Sequence, residues 1–179
     1  MTLPADDITP PDLARLSVES FILAGHVIPP PASPKGILAA RAGAFVTLRK
    51  LDGSLRGCIG TILPQRQSVA DEIIENAIGA ACRDHRFPHL IADELPTLLY
   101  GVDVLSEPEP ARGPEDLDPA RYGVIIGSLD GARRAILLPG IDGIETVETQ
   151  WQAVHSKAGI SLGTEVRIQR FTVTRFGEH

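Results

Sequence analysis

The sequence predicts an α+β fold in which antiparallel β-hairpins form a sheet flanked by helices. Asp52-Gly53 and Asp130-Gly131 each separate two short runs rich in apolar and β-branched residues, and an Asp-Gly pair in that position favours a hairpin turn. Segments with apolar residues at helical spacing lie between the hairpins. We therefore predict a single α+β domain, with two lobes as the alternative, in which residues 1–42 belong to the same domain as residues 43–176.

The amino-terminal part of the chain is predicted to hold one helix followed by a connector. The helix runs from Pro11 to Ala24, with Thr9 or Asp12 as its cap and Gly25 at its end. Prolines cluster in residues 26–42. This clustering indicates an extended connector without a regular element.

The middle of the chain is predicted to form a hairpin, a helix and a further strand. The helix has apolar residues at helical spacing, Ser68 as a candidate cap, and acidic residues in its first turn. A charged loop from Arg83 to Pro88 ends this helix, and functional residues concentrate in loops. The predicted elements are strands Gly43–Leu51 and Ser54–Ile59, helix Ser68–Cys82 and strand Thr97–Leu105.

The last third of the chain repeats the hairpin pattern after a link rich in proline and acidic residues, Ser106–Pro114. Such a link marks either a surface connection or a boundary between two lobes, and we treat it as a connection within one domain. The predicted elements that follow are strands Gly123–Leu129 and Ala132–Leu138, helix Val147–Ala158, and one long final strand, Glu165–Arg175.

Composition and charge exclude several classes of function. Seventeen basic and 23 acidic residues give a net charge of −6, and no cluster of Lys and Arg is interleaved with aromatics, which argues against nucleic-acid binding. No apolar run approaches the roughly 20 residues needed to span a membrane. Two cysteines and an amino terminus without a secretory signal indicate a reducing, cytoplasmic setting. Neither a GxGxxG motif nor a P-loop occurs, and no cofactor is predicted.

The stretch Leu55-Arg56-Gly57-Cys58-Ile59-Gly60-Thr61 is the strongest candidate site. In an extended segment, or at its bulged end, Arg56 and Cys58 would share one face, and a guanidinium beside a thiol favours the reactive thiolate. Gly57 and Gly60 would let a ligand or another backbone approach closely. The alternative is structural, since buried cysteines usually act as small apolar residues and strand glycines often mark a bulge or tight packing.

Histidines offer a second component for chemistry at this thiol. His85 follows the helix expected behind Cys58, so it is the best candidate for a base in a Cys-His pair. Cys82, His85 and His89 could also offer three metal ligands. Pro88 interrupts their spacing and no second ligand pair stands at a customary distance, so no bound metal is predicted.

The segments LRGCIGT, ENAIGAACRDHRF and LLP…WQAVHSKAGI resemble the AMMECR domain family, from about Gly43 to Phe176. The resemblance implies a compact α+β domain without an assigned activity. In prokaryotes it implies an association with Memo-like and radical SAM proteins, as protein A of an AmmeMemoRadiSam system. Where many members are expected to carry cysteine before the KAG triplet, this chain has His155-Ser156, so chemistry requiring two such thiols is not expected.

These observations predict a pocket or groove centred on Arg56 to Gly60 that recognises a small molecule or a partner segment. Arg56 would bind an anionic group bidentately, and Cys58 would lie at the floor. Asn76 would face inward and hydrogen-bond the backbone of the motif. The rim, which the resemblance to the family's Asp-x-Arg-Phe segment indicates, would consist of Asp84, His85, Arg86 and Phe87.

Two other functions stay open at this stage. In the first, the protein is an enzyme in which Cys58 attacks a carbonyl group and His85 acts as the base. In the second, it is a scaffold for Memo-like or radical SAM partners without chemistry of its own.

Glu72 and Glu75 could share a helix face as paired carboxylates, but a solvated helix face is the more common arrangement.

Overall fold

The computed structural model describes residues 8–177, so the first seven residues of the predicted amino-terminal segment lie outside the described part. The described residues form three α-helices and eight strands, and the strands make two sheets. Helices combined with antiparallel strand pairs confirm the α+β prediction. They divide into two compact units, residues 8–104 with 174–177, and residues 105–173. Within the described residues, no helix is both long and apolar enough to cross a membrane.

The first unit contains a four-stranded sheet in the order β2-β1-β3-β8. Strand β1 pairs antiparallel with both β2 and β3. Two helices, α1 and α2, pack their apolar faces into the same core as this sheet, which includes Leu13, Val46, Ile73 and Val102. The bounds are α1 Pro10–Ala24, β1 Ala44–Lys50, β2 Leu55–Gly60, α2 Val69–Cys82, β3 Leu98–Leu105 and β8 Val173–Gly177.

Local signals place the ends of both helices close to the predicted positions. Helix α1 begins after Thr9, whose side chain accepts the Asp12 N–H, and it ends at Gly25 in the left-handed conformation. Helix α2 begins after Ser68, whose side chain accepts the N–H of residue 71. The connector differs from the prediction, because residues Gly36–Ala39 form one short 3₁₀ helix that buries Leu38.

Strand β2 contains a bulge in the middle of the candidate motif. Leu48 of β1 lies opposite Gly57, but the next residue, Arg49, lies opposite Leu55. Arg56 is therefore the extra residue of β2 at this point, and such a bulge interrupts the alternation of side chains along a strand. The prediction that Arg56 and Cys58 share one face of a strand or lie at its bulged end includes this arrangement.

The second unit contains a sheet in the order β4-β7-β5-β6, with helix α3 packed beside β5 and β6. Its core includes Val124, Ile126, Leu137 and Val154. Thr146 caps α3, and Gly159 ends it in the left-handed conformation. The bounds are β4 Glu109–Pro110, β5 Gly123–Ser128, β6 Arg134–Leu137, α3 Val147–Ala158 and β7 Val166–Phe171.

The prediction of one long final strand is wrong. Residues 166–177 form two strands, β7 and β8, which belong to different sheets and are separated at Thr172. Both backbone groups of Thr172 hydrogen-bond to Ser106, which belongs to neither sheet, and this interrupts the ladder between the two strands.

Candidate functional site

Cys58 lies on β2, the edge strand of the first sheet, directly opposite Thr47 of β1. The Thr47 hydroxyl donates a hydrogen bond to the Cys58 sulfur at 3.4 Å. The backbone N–H of Cys58 bonds to a side chain outside the sheet, which is the arrangement of a non-hydrogen-bonded strand pair, where side chains approach most closely. Cys58 is a free thiol of intermediate exposure.

The loop after α2 binds the free edge of β2 through Asp84 and Arg86. The Asp84 carboxylate accepts the backbone N–H of Cys58 at 2.9 Å. It also accepts the Arg86 Nε, Nη2 and backbone N–H at 2.9, 2.7 and 3.2 Å. The Arg86 guanidinium, assisted by these backbone donors, holds the pKa of Asp84 well below its usual range.

Arg86 lies beside the backbone of Cys58. Its Nη2 lies 3.5 Å from the Cys58 carbonyl oxygen, and its guanidinium carbon lies 5.6 Å from the centre of the Phe87 ring. The pKa of Arg86 is raised, chiefly by Asp84 and to a smaller extent by the Cys58 side chain. The Asp84-Arg86-Phe87 segment therefore does lie beside Cys58, as the resemblance indicated.

Arg56 has a different environment from the predicted one. Its Nε and Nη2 donate to the two carboxylate oxygens of Glu94 at 2.6 and 2.9 Å, and Nη2 also donates to the Pro88 carbonyl oxygen at 3.1 Å. The side chain is only 4% exposed. Glu94 thus occupies the bidentate position in which an anionic ligand was expected. The hydrogen bonds between the two side chains raise the pKa of Arg56 and lower the pKa of Glu94.

The two glycines of the motif are required by packing inside the first unit. A Cβ atom on Gly57 would lie 2.1 Å from the carbonyl oxygen of Ala80 in α2. One on Gly60 would lie 2.2 Å from the Phe45 ring and 2.7 Å from the Ala44 carbonyl oxygen. The close contacts that the glycines permit are with the protein's own helix and strand, so the structural alternative explains both.

Asn76 faces inward as predicted, but its hydrogen-bond partner lies on the neighbouring strand. Its Nδ2 donates to the Ala44 carbonyl oxygen at 3.0 Å, and the backbone N–H of Thr61 donates to the same oxygen. The expected bond to the LRGCIG backbone is therefore replaced by a bond to β1. Asn76 fixes α2 against the sheet that carries Cys58 and has no contact with the thiol in the hydrogen-bond network of the described residues.

Glu72 is a buried carboxylate and not part of a solvated face. Only 1% of its surface is exposed. It accepts hydrogen bonds from the Thr61 hydroxyl at 2.7 Å, from the Arg66 N–H at 2.7 Å and from the Gln65 N–H. Glu72 thereby holds the segment that leaves the motif, whereas Glu75 forms ion pairs with Arg66 and Arg83 at the surface.

The histidines are not arranged as bases for Cys58. His85 and His89 are exposed, and within residues 8–177 neither forms a hydrogen bond with the Cys58 sulfur. Cys82 ends α2 beside the core, and burial raises its pKa. His155 is buried in the second unit, where Nδ1 bonds the Ile160 carbonyl oxygen. The described residues contain no group of three potential metal ligands.

Sequence reasoning missed two partners in this site, Thr47 and Glu94. Thr47 could have been found from the hairpin register, but the bulge at Arg56 displaces the pairing counted from the Asp52-Gly53 turn. Glu94 is 38 positions from its partner Arg56, and no local pattern links the two residues.

The fold and the site define an α+β protein that presents a partly exposed thiol on an edge strand held by an Asp-Arg loop. The chain belongs to the AMMECR1 family, whose model matches residues 11–176. A protein of Thermotoga maritima is 50% identical over 161 residues, covering 89% of this chain and 91% of that protein. Protein CA_C1420 of Clostridium acetobutylicum is 42% identical over 168 residues, which cover 93% of this chain but 35% of that protein.

A solved structure has the same fold. The crystal structure of the uncharacterised protein PH0010 from Pyrococcus horikoshii aligns with a TM-score of 0.86 at 29% identity, covering 95% of this chain and 90% of that one. None of these three names states an activity.

Proposed function

We propose that this protein binds a small molecule or a segment of a partner protein at the face of β2 that carries Cys58. The observation that supports this proposal best is the thiol itself: it is partly exposed, receives the Thr47 hydroxyl at 3.4 Å and has its backbone N–H fixed by Asp84 at 2.9 Å. A thiol whose sulfur and backbone N–H are both held by hydrogen bonds, and which is still partly exposed, is preorganised for an occupant, because little conformational freedom remains to be lost on binding.

The surroundings of the thiol suit recognition. Phe45 lies two residues before Thr47 on β1 and so shares its face, and the Phe45 ring covers Gly60. Arg86, on the other side, supplies positive charge and is half exposed. An apolar ring and a cation on two sides of a small polar group are typical of sites in which a few polar contacts orient a ligand.

Binding has more support than nucleophilic catalysis. A cysteine nucleophile is normally activated by a base within hydrogen-bond reach. The group that contacts the Cys58 sulfur is the hydroxyl of Thr47, which donates, and the predicted base, His85, is exposed in the loop. A Thr donor and an Arg charge can stabilise a thiolate, but they cannot accept a proton from a reacting group.

The partner in this proposal is a Memo-like or radical SAM protein, because the resemblance associates the family with both. The setting is a reducing cytoplasm, in keeping with two cysteines that are both free thiols. A scaffold without a ligand of its own would bind its partner at the same face. Both forms of the proposal therefore require that an occupant covers the Cys58 side chain in the cell.

Occupancy in the cell can be measured with a cell-permeable alkylating reagent. Cys58 is labelled with iodoacetamide in intact cells and in the purified protein, and the rates are normalised to an engineered thiol, Ser161→Cys, on an exposed turn of the second unit. A site that is nine-tenths occupied would be labelled about tenfold more slowly in cells. Equal normalised rates in cells and in the purified protein would overturn the proposal.

A further inference from the structure

We infer that the occupant of the Cys58 face carries a carboxylate or a similar small oxyanion, which Arg86 binds beside the thiol. The inference rests on the proposed function and names the chemical class of its ligand. The sequence pattern indicated Arg56 as the residue that binds the anion, whereas the structure favours Arg86.

Arg86 is oriented by Asp84 on one edge and open on the other. Asp84 takes the Nε and Nη2 donors, whereas Nη1 forms no hydrogen bond with any residue between 8 and 177. The Arg86 side chain is 49% exposed, compared with 4% for Asp84. The second Nη2 donor points to the Cys58 carbonyl oxygen at 3.5 Å, so the donors left for an oxyanion are those of Nη1, on a guanidinium that is fixed in its plane.

The Asp84 carboxylate does not compete for that free edge. It already accepts four hydrogen bonds, from the Cys58 N–H and from three donors of Arg86, and a carboxylate has about four lone-pair positions. Arg56 offers no alternative anion site, because Glu94 binds it bidentately and it is buried. Arg86 is therefore the guanidinium with an accessible donor next to the motif.

The charge around Arg86 favours an anion as well. Residues 83–89 contain two arginines, Arg83 and Arg86, and a single acid, Asp84, in a chain whose net charge is −6. The last acidic residue of α2 in the sequence, Glu75, is paired with Arg83 and Arg66. An anion bound at Arg86 would lie next to Cys58, since the Arg86 Nη2 approaches the Cys58 carbonyl oxygen to 3.5 Å.

The test compares two reagents that differ only in charge. Iodoacetate and iodoacetamide both alkylate a thiol in the same way: the sulfur attacks the CH₂ carbon, iodide leaves, and the thiol proton goes to the solvent. The quantity measured is the ratio of the iodoacetate rate to the iodoacetamide rate at Cys58, divided by the same ratio at Ser161→Cys. The reactions are run at pH 8, where histidine side chains are ordinarily neutral.

We expect this ratio to be raised about twofold to fivefold at Cys58. The upper value is the factor that one unit charge a few ångströms away produces in water, and Asp84 offsets part of the Arg86 charge. Arg86→Gln should lower the ratio to the control value or below it, since Asp84 is then left without its cation, and Arg83→Gln, which removes an exposed arginine paired with Glu75, should leave it unchanged. Because Arg86→Gln also withdraws partners from Asp84, Arg86→Lys and a salt series on the unaltered protein provide independent readouts. The lysine variant should keep the preference, and high salt should abolish it.

Each other outcome has a definite meaning. A reactive Cys58 with a control-like ratio overturns the inference but leaves the proposed function in place. A raised ratio that persists in Arg86→Gln assigns the anion to another cation and overturns the inference too. If Cys58 reacts with neither reagent until the protein is unfolded, the proposed function fails and the inference fails with it.

Discussion

The carboxylate of Asp84 accepts the backbone N–H of Cys58 at 2.9 Å, so a loop side chain takes the position that a neighbouring strand would hold at the edge of the sheet. Exposed edges of sheets can pair with other chains unless they are covered. Asp84 covers this edge locally while leaving the Cys58 side chain free. The loop after α2 and the motif on β2 are consequently joined by a hydrogen bond, so a change in one should disturb the other.

Replacing Asp84 by Asn is expected to lower the free energy of unfolding by about 2–3 kcal/mol at pH 7, because hydrogen bonds to a charged group are lost and Arg86 is left without its counter-ion. Urea unfolding of the purified variant measures the loss. A variant as stable as the unaltered protein would show that the Asp84 network is not a stabilising one.

The same variant should be less sensitive to acid. The pKa of Asp84 is lowered by Arg86 and by two backbone N–H donors, so its stabilising contribution is present above the unfolded value of about 3.9 and is lost as the pH falls below it. The stability difference between the unaltered protein and Asp84→Asn should therefore shrink between pH 5 and pH 3, as urea midpoints at several pH values would show. A constant difference across that range contradicts the assignment.

Gly57→Ala is expected to cost about 3 kcal/mol, because the added Cβ would meet the Ala80 carbonyl oxygen at 2.1 Å and α2 would have to move away from β2. Gly127→Ala is the matched control, since this strand glycine has its nearest neighbour, the Arg133 carbonyl oxygen, at 3.7 Å. The control should change stability by less than about 1 kcal/mol. Similar effects in the two variants would mean that the close approach of α2 is not what requires Gly57.

Arg56→Met tests the buried ion pair with Glu94. We expect a loss of about 2–4 kcal/mol, because Glu94 is only 29% exposed and would keep its charge without a partner. Arg112→Met removes a surface partner of Asp116 at a side chain that is 82% exposed, and it should leave the unfolding midpoint almost unchanged. The double variant Arg56→Met/Glu94→Leu should recover part of the loss, and failure to do so would indicate that Arg56 stabilises mainly through packing.

Glu72→Gln and Glu75→Gln separate two carboxylates that lie three residues apart on α2. The first should lose about 2 kcal/mol and speed hydrogen exchange at the amides of Gln65 and Arg66, because both donate to the same oxygen, Oε1, and a neutral amide oxygen is a weaker acceptor than a carboxylate. The second should stay within about 0.5 kcal/mol of the unaltered protein. Equal exchange at residues 65 and 66 in both variants would contradict the role given to Glu72.

Much of this fold could be predicted because its signals are local. Asp52-Gly53 lies in the first hairpin turn, Ser68 caps α2, and Gly159 ends α3 as expected. Each of these residues acts through its own backbone or through a neighbour a few positions away. The general location of the site follows from the same kind of local reasoning, joined to the family resemblance.

The site's chemistry could not be predicted, because its partners are distant in sequence. A bulge of one residue lies at Arg56, and nothing in the residues around Arg56 indicates that Glu94 would neutralise it. The inward-facing Asn76 was predictable from its apolar neighbours, but its acceptor, the Ala44 carbonyl oxygen, depends on the helix-to-sheet packing.

The order of the strands has a consequence for the growing chain on the ribosome. Strand β8 supplies an edge of the first sheet, yet it follows the entire second unit, Leu105–Val173, in the sequence. During synthesis, the outer side of β3 stays unpaired until the second unit has been made, while the β1–β2 hairpin can already form. Translation pauses within the second unit should therefore prolong the time for which the unpaired edge of β3 is open to pairing with other chains. A chaperone that acts on nascent proteins would be needed most at that stage.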